Sequence, residues 1–364
     1  MADEGDESQG ARPRSWFIRR WAAPLALAVS VAASIGAVHL LADGSTATGP
    51  AGEQRMPRFI IAVGEIGGAP PGRGPKPWFR VRAAKGGVRP VDSVPAPRSA
   101  GAAQSVIAGP EATFVLSAFE EKSCATRFYR FRLAGDGKVK ELAPLTADSV
   151  TARVAGLAMS PDGERLAYAT APCAQAAQPQ ATVTVLDLGS GRRRTWSTAA
   201  PSVVGEIVWA RDDRTLGYTI GDVRSEAEPG PFHERGVGNV TVHALDTGVR
   251  GADLRGGRVL FRQPDDSAAV TTAVMNPDGR AGYGAMKKAR PPSSVIFSFS
   301  AGRPMKVTQT YKSGPNVVTA FIIATDDHPR YACLGGVDSF GRVRDGLFAD
   351  ASGSGLGCSV AYAY

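Results

Sequence analysis

The sequence predicts an all-β chain, and three observations predict it. The stretch Leu157–Tyr168 reads as two short apolar strands around Ser160-Pro161-Asp162-Gly163, in which Pro161 presets a type I turn and Gly163 can take the left-handed conformation that follows. The same unit returns along the chain with altered turn residues. Outside residues 21–42, no window shows a 3.6-residue apolar stripe of helical length.

The repeats can be taken in order. Blocks beginning near Val154, Val204, Val270 and Val317 each open with an apolar strand. Their turns read Pro161-Asp162-Gly163, Arg211-Asp212-Asp213, Pro277-Asp278-Gly279 and Thr325-Asp326-Asp327. A second strand follows, carrying Tyr168, Tyr218, Tyr283 or Tyr331, at intervals of 50, 65 and 48 residues. An earlier block has Gln104–Ala108, the loop Gly109-Pro110-Glu111, and Thr113–Ser117. Third alternating runs occupy Arg127–Leu133, Ala181–Leu188, Asn239–Leu245 and Ser294–Phe299, and turns such as Gly189-Ser190-Gly191 lead on to a fourth. Four antiparallel strands in roughly 45–50 residues is the pattern of a propeller blade. The sequence therefore predicts a β-propeller of about six four-stranded blades across 58–364; five or seven also fit the spacing. Arg58–Val63, Trp78–Val81 and Val88–Val94 supply three strands of the first blade, and the C-terminal Cys358–Tyr362 is expected to supply its missing inner strand and close the ring.

Ahead of the propeller, Trp21–Ala42 contains no charged residue and is long enough to span a bilayer as a helix. Arg12, Arg14, Arg19 and Arg20 precede it, which places residues 1–20 in the cytoplasm as a short disordered tail. A cleaved signal peptide would have a shorter apolar region and a small-residue cleavage site, and Leu40-Leu41-Ala42 lacks the latter. The expectation is a single-pass membrane anchor, a flexible linker over 43–57 and an extracytoplasmic propeller.

The chemistry of the repeat carries a resemblance. Met159-Ser160-Pro161-Asp162-Gly163-Glu164-Arg165-Leu166-Ala167-Tyr168 and Val183-Thr184-Val185-Leu186-Asp187-Leu188-Gly189-Ser190-Gly191 resemble WD40-like or TolB-like bacterial β-propeller repeats, in particular the membrane-anchored type of high-GC Gram-positive bacteria. The chain lacks the Trp-Asp and Gly-His pairs of eukaryotic WD40 repeats, so the resemblance implies a fold and no specific ligand.

Composition narrows the partners. The net charge is +8, but the tail's four acids and four arginines cancel, and the excess is spread through the remainder. Arg192-Arg193-Arg194 and Lys287-Lys288 are the tight basic runs, without interleaved aromatics, which argues against nucleic acid. Partners expected instead are the membrane through 21–42 and an extracytoplasmic protein or cell-envelope polymer. Cys124, Cys173, Cys333 and Cys358 allow three disulfide pairings. Cys124 and Cys173 fall in equivalent loops of adjacent blades and can meet, while Cys333 and Cys358 belong to the closing region. The 65-residue interval reflects an insertion over 221–238 whose Arg224, Phe232, His233 and Arg235 are candidate recognition residues.

No catalytic, cofactor or metal residue is assigned. There is no Gly-x-Ser-x-Gly elbow and no Cys-x-x-Cys, and His233, His243 and His328 lie in separate blades. Gly236-Val237-Gly238 and Gly353-Ser354-Gly355 open no helix that could seat a phosphate. Most acids that could serve a hydrolase stand in turns. The function expected is a membrane-tethered binding or scaffolding module without catalytic activity; the alternative is an extracytoplasmic hydrolase or lactonase with its site at the central channel.

Overall fold

The structure, a computed structural model, describes residues 58–63, 77–83, 90–173, 180–223, 237–249, 251–264, 268–288, 293–312, 318–325, 328–337, 343–344 and 359–363. The contacts of the chain divide it at Arg55/Met56, and all described residues belong to the second unit. The tail, the 21–42 segment and the linker lie outside the described residues. Among the described residues no helix is long and apolar enough to cross a membrane. The membrane anchor, and with it the single-pass topology and the extracytoplasmic placement, therefore has no support in the structure and is withdrawn.

Among the described residues every long element is a strand. The first sheet contains β1 (Phe59–Val63), β2 (Phe79–Ala83), β3 (Pro90–Val94) and, from the far end of the chain, β22 (Ser359–Ala363). Ile61 faces Ala361 in the antiparallel β1–β22 pair. The second sheet is β4 (Ala102–Ala108), β5 (Thr113–Glu120), β6 (Ala125–Leu133) and β7 (Val139–Pro144). A seven-stranded sheet follows: β8 (Arg153–Met159), β9 (Arg165–Ala171), β10 (Gln180–Asp187), β11 (Arg193–Trp209), β12 (Thr215–Val223), β13 (Val237–Asp246) and β14 (Arg258–Arg262). Then come β15 (Ala268–Met275), β16 (Ala281–Lys288), β17 (Ser293–Ser300) and β18 (Lys306–Lys312) in one sheet, and β19 (Val318–Thr325), β20 (His328–Val337) and β21 (Val343–Arg344) in the last.

This corrects the expected closed ring of six separate blades. Among the described residues there are five sheets, and the seven-stranded one stands where two blades were expected. The cause is β11, which runs for 17 residues without a break. Its first half pairs with β10 (Val183 opposite Trp196) and its second with β12 (Trp209 opposite Leu216). Thr195–Val204 contains no Gly, Asn or Asp to turn the chain, and Pro201 alone tolerates an extended backbone. The Ala200 carbonyl accepts from the hydroxyls of Thr198 (2.9 Å) and Ser202 (3.1 Å), so the crossing is hydrogen-bonded by side chains. The sheet curls enough for β8 to pack against β11. Nor is the ring closed: among the described residues the β19–β21 sheet makes substantial contact with β15–β17 but not with the sheet of β1 and β22.

The cores lie between neighbouring sheets. Phe79 and Phe114 stack on either side of Phe131, at 4.7 and 5.4 Å between centroids, joining the first sheet to the second. Phe128 meets Tyr168 at 5.2 Å across the next boundary. Trp196, Trp209, Tyr218 and Leu254 share the core of the seven-stranded sheet, and Phe261, Phe297 and Phe299 pack beyond it. Truncating one such buried ring costs about 3–5 kcal/mol, so these stacks hold the row of sheets together.

The turns that open each hairpin also touch one another. A Cβ at Gly163 (φ +74°) would stand 2.6 Å from Cγ of Pro110 in the preceding turn. The Asp162 amide donates to the Asp213 carboxylate (2.9 Å), and the Arg211 amide to the Pro277 carbonyl (2.8 Å). At Gly163 two penalties coincide, a left-handed backbone and a rigid neighbouring ring. Gly191 also has positive φ (+71°) but faces open space. Gly163→Ala is expected to lower stability by about 2–3 kcal/mol and Gly191→Ala by about 1 kcal/mol, read by urea denaturation. Equal losses would show that the contact with Pro110 adds nothing.

Candidate functional site

Four consecutive first strands carry a β-bulge at the same height. Gln104 is skipped in the β4–β5 pairing, Ala155 in β8–β9, Gly205 and Glu206 in β11–β12, and Thr271 in β15–β16. Each bulge begins five residues before its hairpin turn (Gln104 and Gly109, Ala155 and Ser160, Gly205 and Ala210, Thr271 and Asn276). A bulge takes residues out of the alternating pattern and re-aims their side chains. These first strands are neighbours: β4 packs against β8, β8 against β11, and β11 against β15. The bulges thus form a row along one edge of the sheets.

Three of the bulges present neutral residues, and the fourth presents an acid. Val204 and Ile207 on either side of Gly205–Glu206 are buried in the core, whereas Gly205 and Glu206 are turned out of it. Gly156 on β8 closes in here, since a Cβ on it would lie 2.7 Å from the Gly205 carbonyl oxygen. Glu206 is exposed to solvent at the bulge. Partial desolvation pushes its pKa up. No described residue bonds to or pairs with its carboxyl. Polar groups nearby in the row are already engaged: Gln104 Oε1 accepts from Arg153 (3.2 Å), and Thr271 Oγ1 donates to the Ala285 carbonyl (3.1 Å). On β15 the buried Thr272 hydroxyl also lacks a partner.

The residues singled out from the sequence fall elsewhere. Arg224, Phe232, His233 and Arg235 lie outside the described residues, between β12 and β13. Cys124 and Cys173 are joined by a disulfide, Cα–Cα 5.9 Å, which ties the β5–β6 turn to the segment after β9. Cys333 is on β20, and Cys358 lies outside the described residues. Among the described residues no three His, Cys, Asp or Glu side chains gather as a metal site. His243 is buried and stacked on Tyr218; its Nδ1 donates to the Gly257 carbonyl (3.1 Å) and its Nε2 accepts from the Thr241 hydroxyl (2.9 Å). Burial holds its pKa below the ordinary value, so it serves the core as a neutral ring.

The turn acids have local tasks. Asp162 Oδ1 accepts from the Ser160 hydroxyl (2.5 Å) and the Glu164 amide (2.9 Å). Asp212 accepts from the amides of Arg214 and Thr215, and Asp278 from those of Arg280 and Ala281. Asp326 and Asp327 lie outside the described residues. The hydrolase alternative required converging carboxylates, and Glu206 has none coupled to it among the described residues.

Comparison with known proteins adds little. No family model matches the chain, and no curated protein matches it. Among solved structures it is similar to the acylaminoacyl peptidase of Pyrococcus horikoshii, at 15% identity and a TM-score of 0.36, over 64% of this chain and 35% of that one. Hydrazine synthase of Kuenenia stuttgartiensis shares 13% identity at a TM-score of 0.40, over 75% and 78%. The β-propeller domain of the Trilobed protease from Pyrococcus furiosus shares 13% at 0.35, over 64% of each. The chain therefore spans 35% of the first peptidase's length, and likenesses at these scores carry no argument about its arrangement or activity. The resemblance to WD40-like or TolB-like repeats is corrected accordingly. Its hairpin motif is present, but neither a matching family nor a ring of separate blades accompanies it.

The raised pKa of Glu206 makes a pH prediction. A carboxyl whose folded pKa is raised favours the folded state fully below its unfolded pKa and loses that contribution as pH rises through the folded value. Glu206→Gln should therefore match the parent in stability near pH 4 and exceed it at pH 8, in thermal or urea unfolding at several pH values. A constant difference across that range would mean the carboxyl is solvated like a surface acid.

Proposed function

We propose that the chain is a non-catalytic binding module whose ligand is a small organic cation seated on Glu206. The observation that supports this is the pairing state of that residue. A carboxylate whose charged form is disfavoured by partial desolvation gains from a counter-charge and hydrogen bonds, and no described residue supplies either. An alkylammonium group brings both at once, as a positive charge with three donors. A metal ion is the poorer fit, because hard cations want six or more oxygen ligands and the described residues of this bulge offer one carboxylate. Gly156 and Gly205 keep side chains away from the approach.

The reading as a binding site is supported by the bulge neighbours, since Gln104 and Thr271 are committed to structural bonds.

Titration calorimetry with n-butylammonium at pH 8 tests the reading. Saturable binding to the parent protein is expected, with at least about a tenfold loss in Glu206→Gln, as for a removed charge-assisted bond of 1.5–3 kcal/mol. Equal heats for the two proteins, or none for either, would reject Glu206 as the seat.

A further inference from the structure

A cavity lies away from the bulges, at the boundary between the β4–β7 sheet and the seven-stranded sheet. It encloses about 480 Å³ and is lined by Arg130 and Pro144 with Leu145 on one side, and Glu164, Asp187 and Leu188 on the other. That volume is in the range of small-molecule sites. Its construction follows from the two sheets. The Leu145 amide donates to the Phe128 carbonyl (2.8 Å) and the Leu188 amide to the Glu164 carbonyl (2.8 Å), which fixes both rims by backbone bonds.

The charges on the rims are opposite, and they do not meet. Among the described residues Arg130 makes no ion pair or side-chain hydrogen bond, and neither does the Glu164 carboxylate. Asp187 is held ionised by the Ser190 hydroxyl (2.6 Å) and amide (2.7 Å), which lower its pKa. A guanidinium and two carboxylates sharing one cavity would pair if the rims let them. Because they stay apart, the space between them suits a ligand that reaches both. A purely anionic ligand would be repelled by the Glu164 and Asp187 rim, and a purely cationic one by Arg130. The leucines and Pro144 add apolar surface between the charged ends.

We propose that this cavity binds a small zwitterion with an apolar body, such as an α-amino acid, its carboxylate on Arg130 and its ammonium group on Glu164. Asp187, already engaged by Ser190, adds negative potential on the ammonium side. The site is independent of Glu206 and involves no covalent step.

The experiment uses L-leucine as the probe, with N-acetyl-leucine lacking the cationic end and leucine amide lacking the anionic end. Binding is measured by calorimetry and by amide shifts of Gly163 and Gly189. Leucine should bind, and each blocked form should bind at least about tenfold more weakly, the loss expected for one charge-assisted contact. Arg130→Ala should abolish the preference for leucine over leucine amide, and Glu164→Gln the preference over N-acetyl-leucine. Arg127→Ala, an exposed change on the same strand, should alter neither. Absence of leucine binding, equal binding of all three probes, or preferences that survive both substitutions would overturn the assignment. Circular dichroism and unfolding of each variant separate a lost contact from a lost fold.

Discussion

The chain of contacts between hairpin turns is the constraint on which the rest of the structure depends. Each turn is a local object, closed by its own bonds: Gly163 N to Ser160 O at 2.9 Å, and Gly279 N to Asn276 O at 3.0 Å. Each is also pressed on the next, Pro110 on Gly163, Asp162 on Asp213, Arg211 on Pro277. Turn-to-turn contact sets how far apart neighbouring first strands stand, and so whether Phe128 reaches Tyr168 and whether Gly156 can come against Gly205. A sheet with both faces apolar needs a neighbour at about 10 Å. The turns fix that spacing at one end, and the disulfide between Cys124 and Cys173 ties one boundary near the opposite end of the strands.

The bulge row is the second consequence of this alignment. Because every bulge begins five residues before its turn, anchoring the turns at one height anchors the bulges too. A single bulge would only kink a strand. Four in register, on strands in sequential contact, make a common edge where re-aimed side chains gather. The charged cavity has a different origin. It belongs to the seam between sheets, where rims built from Leu145 and Leu188 are held by backbone bonds and the long side chains stay free.

Much of the strand pattern was legible from residues alone, because alternation and Pro-Asp-Gly turns are local signals. Tyr168 and Tyr218 fall on second strands, where the repeat puts them, and both are buried. Asp162 and Ser160 read as turn chemistry, and their bonds are turn bonds. The join inside β11 was hidden because a shift in repeat and a continuous strand look alike across Thr195–Val204; what differs is a missing turn, which composition registers only weakly. Glu206 was hidden for another reason. One extra residue in a strand leaves its apolar content unchanged, so an acid in a bulge looks like an acid on a solvated face. Arg130, Leu145, Glu164 and Leu188 are scattered along the chain, and only sheet packing brings them to one cavity.

The comparison among equivalent strands weighs on what Glu206 is for. The fold meets its need for a bulge with Gln104 on β4, with Ala155 on β8 and with Thr271 on β15, none of them charged. A glutamine at 206 would satisfy the same backbone without the desolvation that an ionised carboxyl suffers there. The acid thus opposes stability at a position where close structural equivalents show it is not required. Arg130 and Glu164 are exposed at the rims of the seam cavity, as Glu206 is at its bulge. The bulge therefore retains an acid whose charged form desolvation disfavours. At that bulge, unlike the other three, backbone geometry alone leaves the charge of the residue unexplained.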